Sequence, residues 1–212
     1  MVSREKYIMS EIIPINPIPV GKYQTEYTYS HIELDTINSM EMQRNDDKNF
    51  FSKNFNILDL PELQDIRATI ESAIKKYQTE TLGITKQTFV ITDSWSAMSN
   101  PGGSQYVHNH PNSILSGVMY VHTSEDSALC FSTELQIFKK FNFWFDIDPT
   151  NIYNTTNWKV PVKRGDIIIF PSWLDHYVDT HLGDQDRVVI AFNCFVKGKF
   201  GNNRYPTRLS VE

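Results

Sequence analysis

The chain has 212 residues and a formal net charge of −5, from 20 basic and 25 acidic side chains. This length suits a single domain that buries a large core without covalent staples. The acidic balance argues against non-specific nucleic-acid binding and against an anionic membrane surface. It does not exclude a small anionic ligand, which needs only one local positive group. No apolar run approaches the roughly 18 residues that a membrane-spanning helix requires, so no membrane segment is expected.

The two cysteines, Cys130 and Cys194, each lie in an apolar run of strand character. We predict that they are buried free thiols rather than a disulfide. Residues 1–13 contain charges but lack the apolar centre of a secretion signal. Because free thiols are typical of reducing compartments, a cytoplasmic location is expected.

The first part of the chain, residues 1–83, is predicted to carry short strands and helices. One helix is expected from His31 to about Met42, and the polar segment 44–53 is expected to be a loop remote from any site. The clearest helix is predicted from Leu60 to about Leu82, because its apolar residues follow helical spacing.

The ends of this second helix carry recognisable signals. Asp59 is predicted to cap its start, and Glu62 completes a capping-box pattern. Gly83 is predicted to end it.

Beyond Gly83 the chain becomes a succession of strand-like segments separated by turn residues. The predicted strands are Thr88–Ala97, Gln105–His110, Ile114–His122, Ala128–Phe131, Phe141–Phe145, Trp158–Val160, Ile167–Phe170, His176–Val178 and Arg187–Val196. Many short strands without clear helices between them indicate a β-sandwich or jelly roll. The chain is therefore predicted to be mainly β, an α+β protein whose core, residues 84–200, lies in one domain spanning 1–212.

His108 and His110 are separated by one residue in a strand-like segment. Side chains alternate along a strand, so both imidazoles would project from the same face. With a third imidazole supplied by the fold they would form one side of a site for iron, zinc, copper or nickel. Two hydrogen-bonded polar histidines remain the alternative explanation.

Three further residues have settings that suit such a site. His176 follows a buried strand and a proline-marked corner, where its ring can point into a barrel or bond a loop carbonyl. Arg187 opens an apolar strand, so it is either a simple strand end or a cation held for a carboxylate. Tyr120, inside an apolar strand, needs a partner for its hydroxyl.

Taken in order, these features resemble the non-haem iron, 2-oxoglutarate-dependent oxygenase superfamily, in particular a group of oxygenases common in phage and bacteria. The resembling stretch runs from about Thr92 to Asn193. It includes Trp95, the Gly102-Gly103 turn, His108-Asn109-His110-Pro111, the run 116–121, the run 165–172, His176, Arg187 and 191–193.

The resemblance implies a double-stranded β-helix that uses Fe(II) and 2-oxoglutarate to hydroxylate a substrate, with succinate and CO2 as products. It also implies that His108 and His176 are metal ligands, that Arg187 binds 2-oxoglutarate and that Tyr120 assists it. The implied partners are O2 and a small-molecule or peptide substrate, without nucleic acid or membrane, and a dimer is one option for the oligomeric state.

The sequence departs from the superfamily pattern at two positions. The usual carboxylate ligand is replaced by His110, which either completes a three-histidine site or lies beside it while water fills the position. Val189 stands where many members have a serine, so a hydrogen bond to the co-substrate is expected from Tyr120, Ser116 or Asn193. A cupin-like three-histidine enzyme that does not use 2-oxoglutarate, and a non-catalytic binding module, are the competing hypotheses. The segment Phe131–Trp158 is the predicted lid.

Overall fold

The structure is a computed structural model that describes residues 17–45, 48–133, 151–153, 155–201 and 207–212. Within these ranges the chain forms two antiparallel sheets and two α-helices. The strands are β1 Gly21–Tyr23, β2 Met42–Arg44, β3 Asn49–Ser52, β4 Thr88–Ser99, β5 Gln105–His108, β6 Leu115–His122, β7 Ala128–Ser132, β8 Asn157–Pro161, β9 Ile167–Pro171, β10 His176–Val178, β11 Arg187–Phe200 and β12 Leu209–Val211. The helices are α1 His31–Asn38 and α2 Gln64–Lys76.

The larger sheet has the strand order β1-β9-β6-β11-β4-β3-β2, with β12 paired to β11. The smaller sheet has the order β5-β10-β7-β8. This two-sheet, mainly β architecture confirms the fold class predicted from the strand pattern. The prediction of one domain over 1–212 stays a prediction.

Alternation along β11 divides the interior into two layers. Val188, Ile190 and Phe192 belong to the core between the larger sheet and the helices, together with Ile66 and Ile70 of α2. The intervening side chains face the smaller sheet, because successive residues of a strand point to opposite sides. A second, smaller core fills part of that space; it consists of Tyr120, Leu129, Phe131, Val162, Ile168, Phe170 and Leu174.

The helix predicted from Leu60 to Leu82 is built from three segments. A 3₁₀ turn, Pro61–Leu63, precedes α2, and a π turn, Tyr77–Thr81, follows it. The predicted capping box at Asp59 and Glu62 is wrong, since Leu63 precedes α2 and no side chain caps it. The carboxylate of Asp59 instead accepts a hydrogen bond from Arg67.

The N-terminal predictions need two more corrections. A true capping box begins α1, where Ser30 and Glu33 satisfy each other's backbone amides, but α1 ends at Asn38 rather than Met42. The segment 44–53 is not a remote loop, because β2 and β3 form a hairpin and β3 pairs with β4. The physical reason is that Phe50 and Phe51 have strand character and find a long-range partner in β4, which no local pattern reveals.

Two predictions concern residues outside those described. The predicted strand Phe141–Phe145 and most of the predicted lid, positions 134–150 and 154, lie there. In the described part of the chain, no helix is long and apolar enough to cross a membrane.

Candidate metal and co-substrate site

Three histidines meet at one end of the space between the sheets. His108 ends β5 and His176 begins β10, and the two residues are direct partners in the antiparallel ladder. His110 lies two residues past β5, where its backbone N–H donates to the carbonyl of Ser172 at 2.9 Å. One ring nitrogen of each histidine lies within 4.8 Å of the others. The fold therefore gathers the three predicted metal ligands into one cluster.

The hydrogen bonds of the three rings leave the same nitrogen available. Nδ1 of His108 is 2.8 Å from the carbonyl of Tyr106, and Nδ1 of His176 is 3.0 Å from that of Leu174. Nδ1 of His110 is 2.6 Å from Oδ1 of Asn193. Each Nδ1–H thus donates to an oxygen, which places the lone pair on Nε2. An N–H anchored in this way is typical of metal-binding histidines.

Burial favours the neutral form of two of the three rings, those of His110 and His176. Burial lowers the pKa of His176 to about 3, and the nearby His108 adds to the shift. Burial also lowers the pKa of His110, although its hydrogen bond to Asn193 works in the opposite direction. Neutral imidazoles are the form that binds a transition metal, so the donor set fits such an ion.

A chain of polar side chains orients His110. Asn193 and Ser116 are partners on β11 and β6, and Asn193 and Asp93 are partners on β11 and β4. The amide of Asn193 donates to Asp93 at 2.6 Å, while Ser116 Oγ donates to Asn193 Oδ1 at 2.7 Å and lies 3.0 Å from Nδ1 of His110. Ser116 and Asn193 were predicted to contact the co-substrate. The structure places them at His110, and neither is among the cavity-lining residues.

Arg187 lies inside the protein and only 7% of its surface is exposed. Its Nη2 donates to Ser99 Oγ at 2.8 Å, and Ser99 in turn donates to Asn49 Oδ1 at 2.7 Å. Burial lowers the pKa of Arg187, and Tyr120 counteracts this shift. Among the described residues, no carboxylate lies within ion-pair distance of the guanidinium.

A cavity of ≈ 160 Å³ connects Arg187 with the histidines. Its lining residues include Tyr120, Val189 and Ala191, along with Trp95 and Phe51. Tyr120 is 3% exposed, and burial raises the pKa of its hydroxyl, so this group remains a hydrogen-bond donor. The cavity thus has the histidine cluster at one position, a buried cation at another and apolar side chains between them.

The strand register explains this distribution. Asn49, Ser99 and Arg187 form one row across β3, β4 and β11, and Asp93 and Asn193 form another. Apolar pairs, such as Ala97 with Val189, occupy the ladder between the two polar rows. Ser99 and Asn49 were missed from the sequence, since a serine and an asparagine in separate segments carry no signal until pairing aligns them with Arg187.

The remaining histidines do not join the cluster. His181 Nε2 is 2.6 Å from the carbonyl of Gln185, which gives it a local structural partner. Asp175, adjacent to His176, accepts a hydrogen bond from Asn109 at 2.8 Å. The carboxylate next to His176 is thus engaged outside the cluster.

Residues 93–193 match the family model described as "Putative 2OG-Fe(II) oxygenase". This stretch, just under half of the chain, is similar to the 2OG-Fe(II) oxygenases. The matched stretch contains the three clustered histidines and Arg187. The resemblance stated from the sequence is confirmed, and the matched family is one of oxidoreductases that depend on Fe(II) and 2-oxoglutarate. A search of the curated proteins finds no match.

Solved 2OG-Fe(II) oxygenase structures share the fold. An oxidoreductase of the 2OG-Fe(II) oxygenase family from Burkholderia pseudomallei aligns with a TM-score of 0.57 at 9% identity, covering 82% of this chain and 83% of its own. HygX from Streptomyces hygroscopicus, with nickel, 2-oxoglutarate and hygromycin B bound, aligns with a TM-score of 0.57 at 12% identity, covering 84% and 82%. A prolyl-4-hydroxylase from Pseudomonas putida aligns with a TM-score of 0.54 at 11% identity, covering 83% and 92%.

Proposed function

We propose that this oxygenase hydroxylates its substrate and converts 2-oxoglutarate to succinate and CO2. One observation carries the proposal. Arg187 is a buried cation without a described carboxylate partner, and it shares a cavity with three histidines whose rings are held by hydrogen bonds. A buried charge is costly unless it is paired, so the cavity is suited to an anion that can also reach the metal. 2-Oxoglutarate is such an anion, because one of its carboxylates can help to chelate the metal while the other pairs with Arg187.

We assign His108, His110 and His176 as metal ligands through Nε2. These three nitrogens would hold Fe(II) and would leave room on it for the co-substrate and O2. When bound, iron and 2-oxoglutarate supply the oxidising chemistry, in which one oxygen atom of O2 enters succinate and the other enters a C–H bond of the substrate. Ser116 and Asn193 hold the Nδ1 side of His110, so we assign them to ligand orientation.

Arg187 is the proposed partner of the distal carboxylate of 2-oxoglutarate. Its planar guanidinium can donate two parallel hydrogen bonds to a carboxylate, while the bond to Ser99 holds its orientation. Tyr120 lines the same cavity and can offer a further donor. The apolar side chains between the two ends, including Val189 and Phe170, exclude water from the reacting groups.

Among the described residues no carboxylate joins the histidine cluster, and this observation favours a second candidate. Three neutral ligands also suit a cupin-like metal enzyme that does not use 2-oxoglutarate. That alternative does not account for the buried Arg187, and it predicts that 2-oxoglutarate neither binds nor is consumed.

The test is an anaerobic titration of the Fe(II)-loaded protein with 2-oxoglutarate, monitored by the visible charge-transfer band of the chelate. We expect a band in the wild type, a much higher 2-oxoglutarate requirement with unchanged iron content in Arg187→Ala, and loss of iron in His108→Ala and His176→Ala. Arg67→Ala, which removes an arginine on α2, and His31→Ala, at the start of α1, are matched controls.

The outcomes distinguish the two candidate functions and also test the assigned residue roles. Iron without a band supports the cupin-like enzyme, and iron retained in both histidine variants refutes the ligand assignment. Unchanged 2-oxoglutarate affinity in Arg187→Ala refutes the role of the arginine.

A further inference from the structure

The cavity is too small to contain the co-substrate and a large substrate together. Its volume is ≈ 160 Å³, whereas pockets that enclose a drug-sized ligand measure roughly 300–1,000 Å³. If 2-oxoglutarate spans from the histidines to Arg187, as the proposed function requires, it takes most of this space. The bulk of the substrate must then lie across the mouth and present only its reacting group to the metal.

A continuous series of aromatic rings extends outward from His110. The ring centroid of Trp95 is 5.7 Å from that of His110, and Phe55 follows 6.2 Å beyond Trp95. Phe51 of the β2–β3 hairpin lies 5.9 Å from Phe55. The series begins at a proposed metal ligand and reaches solvent, since Phe55 is 42% exposed.

Another aromatic ring lies beside His108 on the smaller sheet. Tyr106 is on β5 in the smaller sheet, and its ring centroid is 5.9 Å from that of His108. It is 68% exposed. The histidine cluster is therefore flanked by aromatic rings from both sheets.

These rings contribute little to the protein's own cores. Phe55, Trp95 and Tyr106 belong to neither of the two apolar clusters formed by the described residues. Exposed aromatic surface is free to be covered by a ligand, at a gain of about 25 cal/mol per Å². Aromatic pairs add a stacking preference beyond that burial.

The charge of the cavity lining limits the class of substrate further. Among the described residues that line the cavity, Arg187 is the only one with a permanent charge, and the proposed function commits it to 2-oxoglutarate. The other polar side chains of the lining are uncharged amides and hydroxyls, such as Asn45 and Gln105, apart from the histidine cluster. Nothing in this lining selects a strongly charged group.

From size, ring arrangement and charge together, we infer that the substrate presents an uncharged planar aromatic ring to an aromatic rim formed by Phe55, Trp95 and Tyr106. The inference rests on the proposed function and adds the substrate class. The ring lies over the mouth of the cavity, while the bond to be oxidised reaches inward between His108 and His110.

The test uses two probes that differ in the ring, N-acetyltryptophanamide and N-acetylleucinamide. Binding is followed by ligand-observed saturation-transfer NMR on the Fe(II)-loaded protein with 2-oxoglutarate under anaerobic conditions, and the visible band is recorded in parallel. We expect the tryptophan probe to bind and the leucine probe to bind much more weakly. Trp95→Leu and Phe55→Leu should each raise the Kd of the tryptophan probe about three- to tenfold.

Phe195→Leu is the matched control, because Phe195 is 38% exposed, close to the exposure of Phe55, and lies on β11 without a ring contact to the histidine cluster or the rim among the described residues. Equal binding of the two probes, no binding of the tryptophan probe, or the same Kd in Phe55→Leu and Phe195→Leu would overturn the inference. The NMR signal does not depend on the chelate band. A missing band with ring-selective binding at the rim would thus refute the proposed function and retain the aromatic-ring preference.

Discussion

Arg187 and Ser99 are direct partners on β11 and β4, and the guanidinium Nη2 donates to the serine Oγ at 2.8 Å. The hydroxyl of Ser99 donates a hydrogen bond to Asn49 Oδ1 on β3. Because the Ser99 hydroxyl donates to Asn49, its oxygen accepts the hydrogen bond from Arg187. This bond fixes which edge of the guanidinium faces the cavity. The β2–β3 hairpin therefore contributes to the position of the cation although it is remote from Arg187 in sequence.

Replacing Ser99 by alanine should weaken 2-oxoglutarate binding about tenfold, because a hydrogen bond to a charged group contributes about 1.5–3 kcal/mol. Iron content should stay unchanged, since Ser99 does not contact the histidines. Anaerobic titration of the chelate band measures both quantities. Ser96→Ala is the control, as Ser96 is on the same strand but outside the cavity lining. Equal affinities in the two variants would contradict the proposed positioning role.

Replacing Asn193 by alanine should lower Fe(II) affinity about 10- to 100-fold, the usual effect of removing the partner of a metal-binding histidine. The reason is that His110 then loses the oxygen that fixes its tautomer. Competition with a chelator of known affinity gives the dissociation constant. If Fe(II) affinity is unchanged while the protein remains folded, His110 is not a metal ligand.

Replacing His110 by aspartate should retain or increase Fe(II) affinity, because a carboxylate supplies both an oxygen ligand and a negative charge. The visible band of the 2-oxoglutarate chelate should shift in energy as the ligand set changes. An aspartate variant with unaltered spectra and unaltered iron affinity would place His110 beside the metal rather than on it.

Alkaline pH should destabilise the fold in part through Tyr77. Burial raises the pKa of its hydroxyl to about 12, whereas an unfolded tyrosine titrates near about 10. Between these values the unfolded state loses a proton that the native state keeps, so stability falls as pH rises, by at most about 1.4 kcal/mol per pH unit. Urea unfolding measured from pH 9 to 12 should show that the free energy of unfolding falls less steeply with pH in Tyr77→Phe than in the wild type. Tyr106→Phe, at an exposed ring, should retain the wild-type decline, and equal slopes in all three proteins would exclude Tyr77 as a source.

Much of the fold follows from local pattern. The alternation of apolar residues predicted β4, β6, β9, β10 and β11 to within a few residues, because each strand must bury one or both faces. The buried face of α2 was also predictable from its apolar spacing, but the residue that begins the helix was not. Asp59 matched the capping pattern, yet Pro61 begins a separate 3₁₀ turn and α2 starts only after Leu63.

By itself the sequence determined the fold class, the family and the residue types of the proposed site, because strand alternation and the order of His108, His110, His176 and Arg187 are properties of the chain as written. Only the tertiary structure decided which residues support them. Strand pairing made His176 the direct partner of His108 and aligned Ser99 and Asn49 with Arg187. It also placed Ser116 and Asn193, which were predicted to contact the co-substrate, beside His110. The physical reason is that a ladder joins segments far apart in sequence, and its register decides which side chains meet.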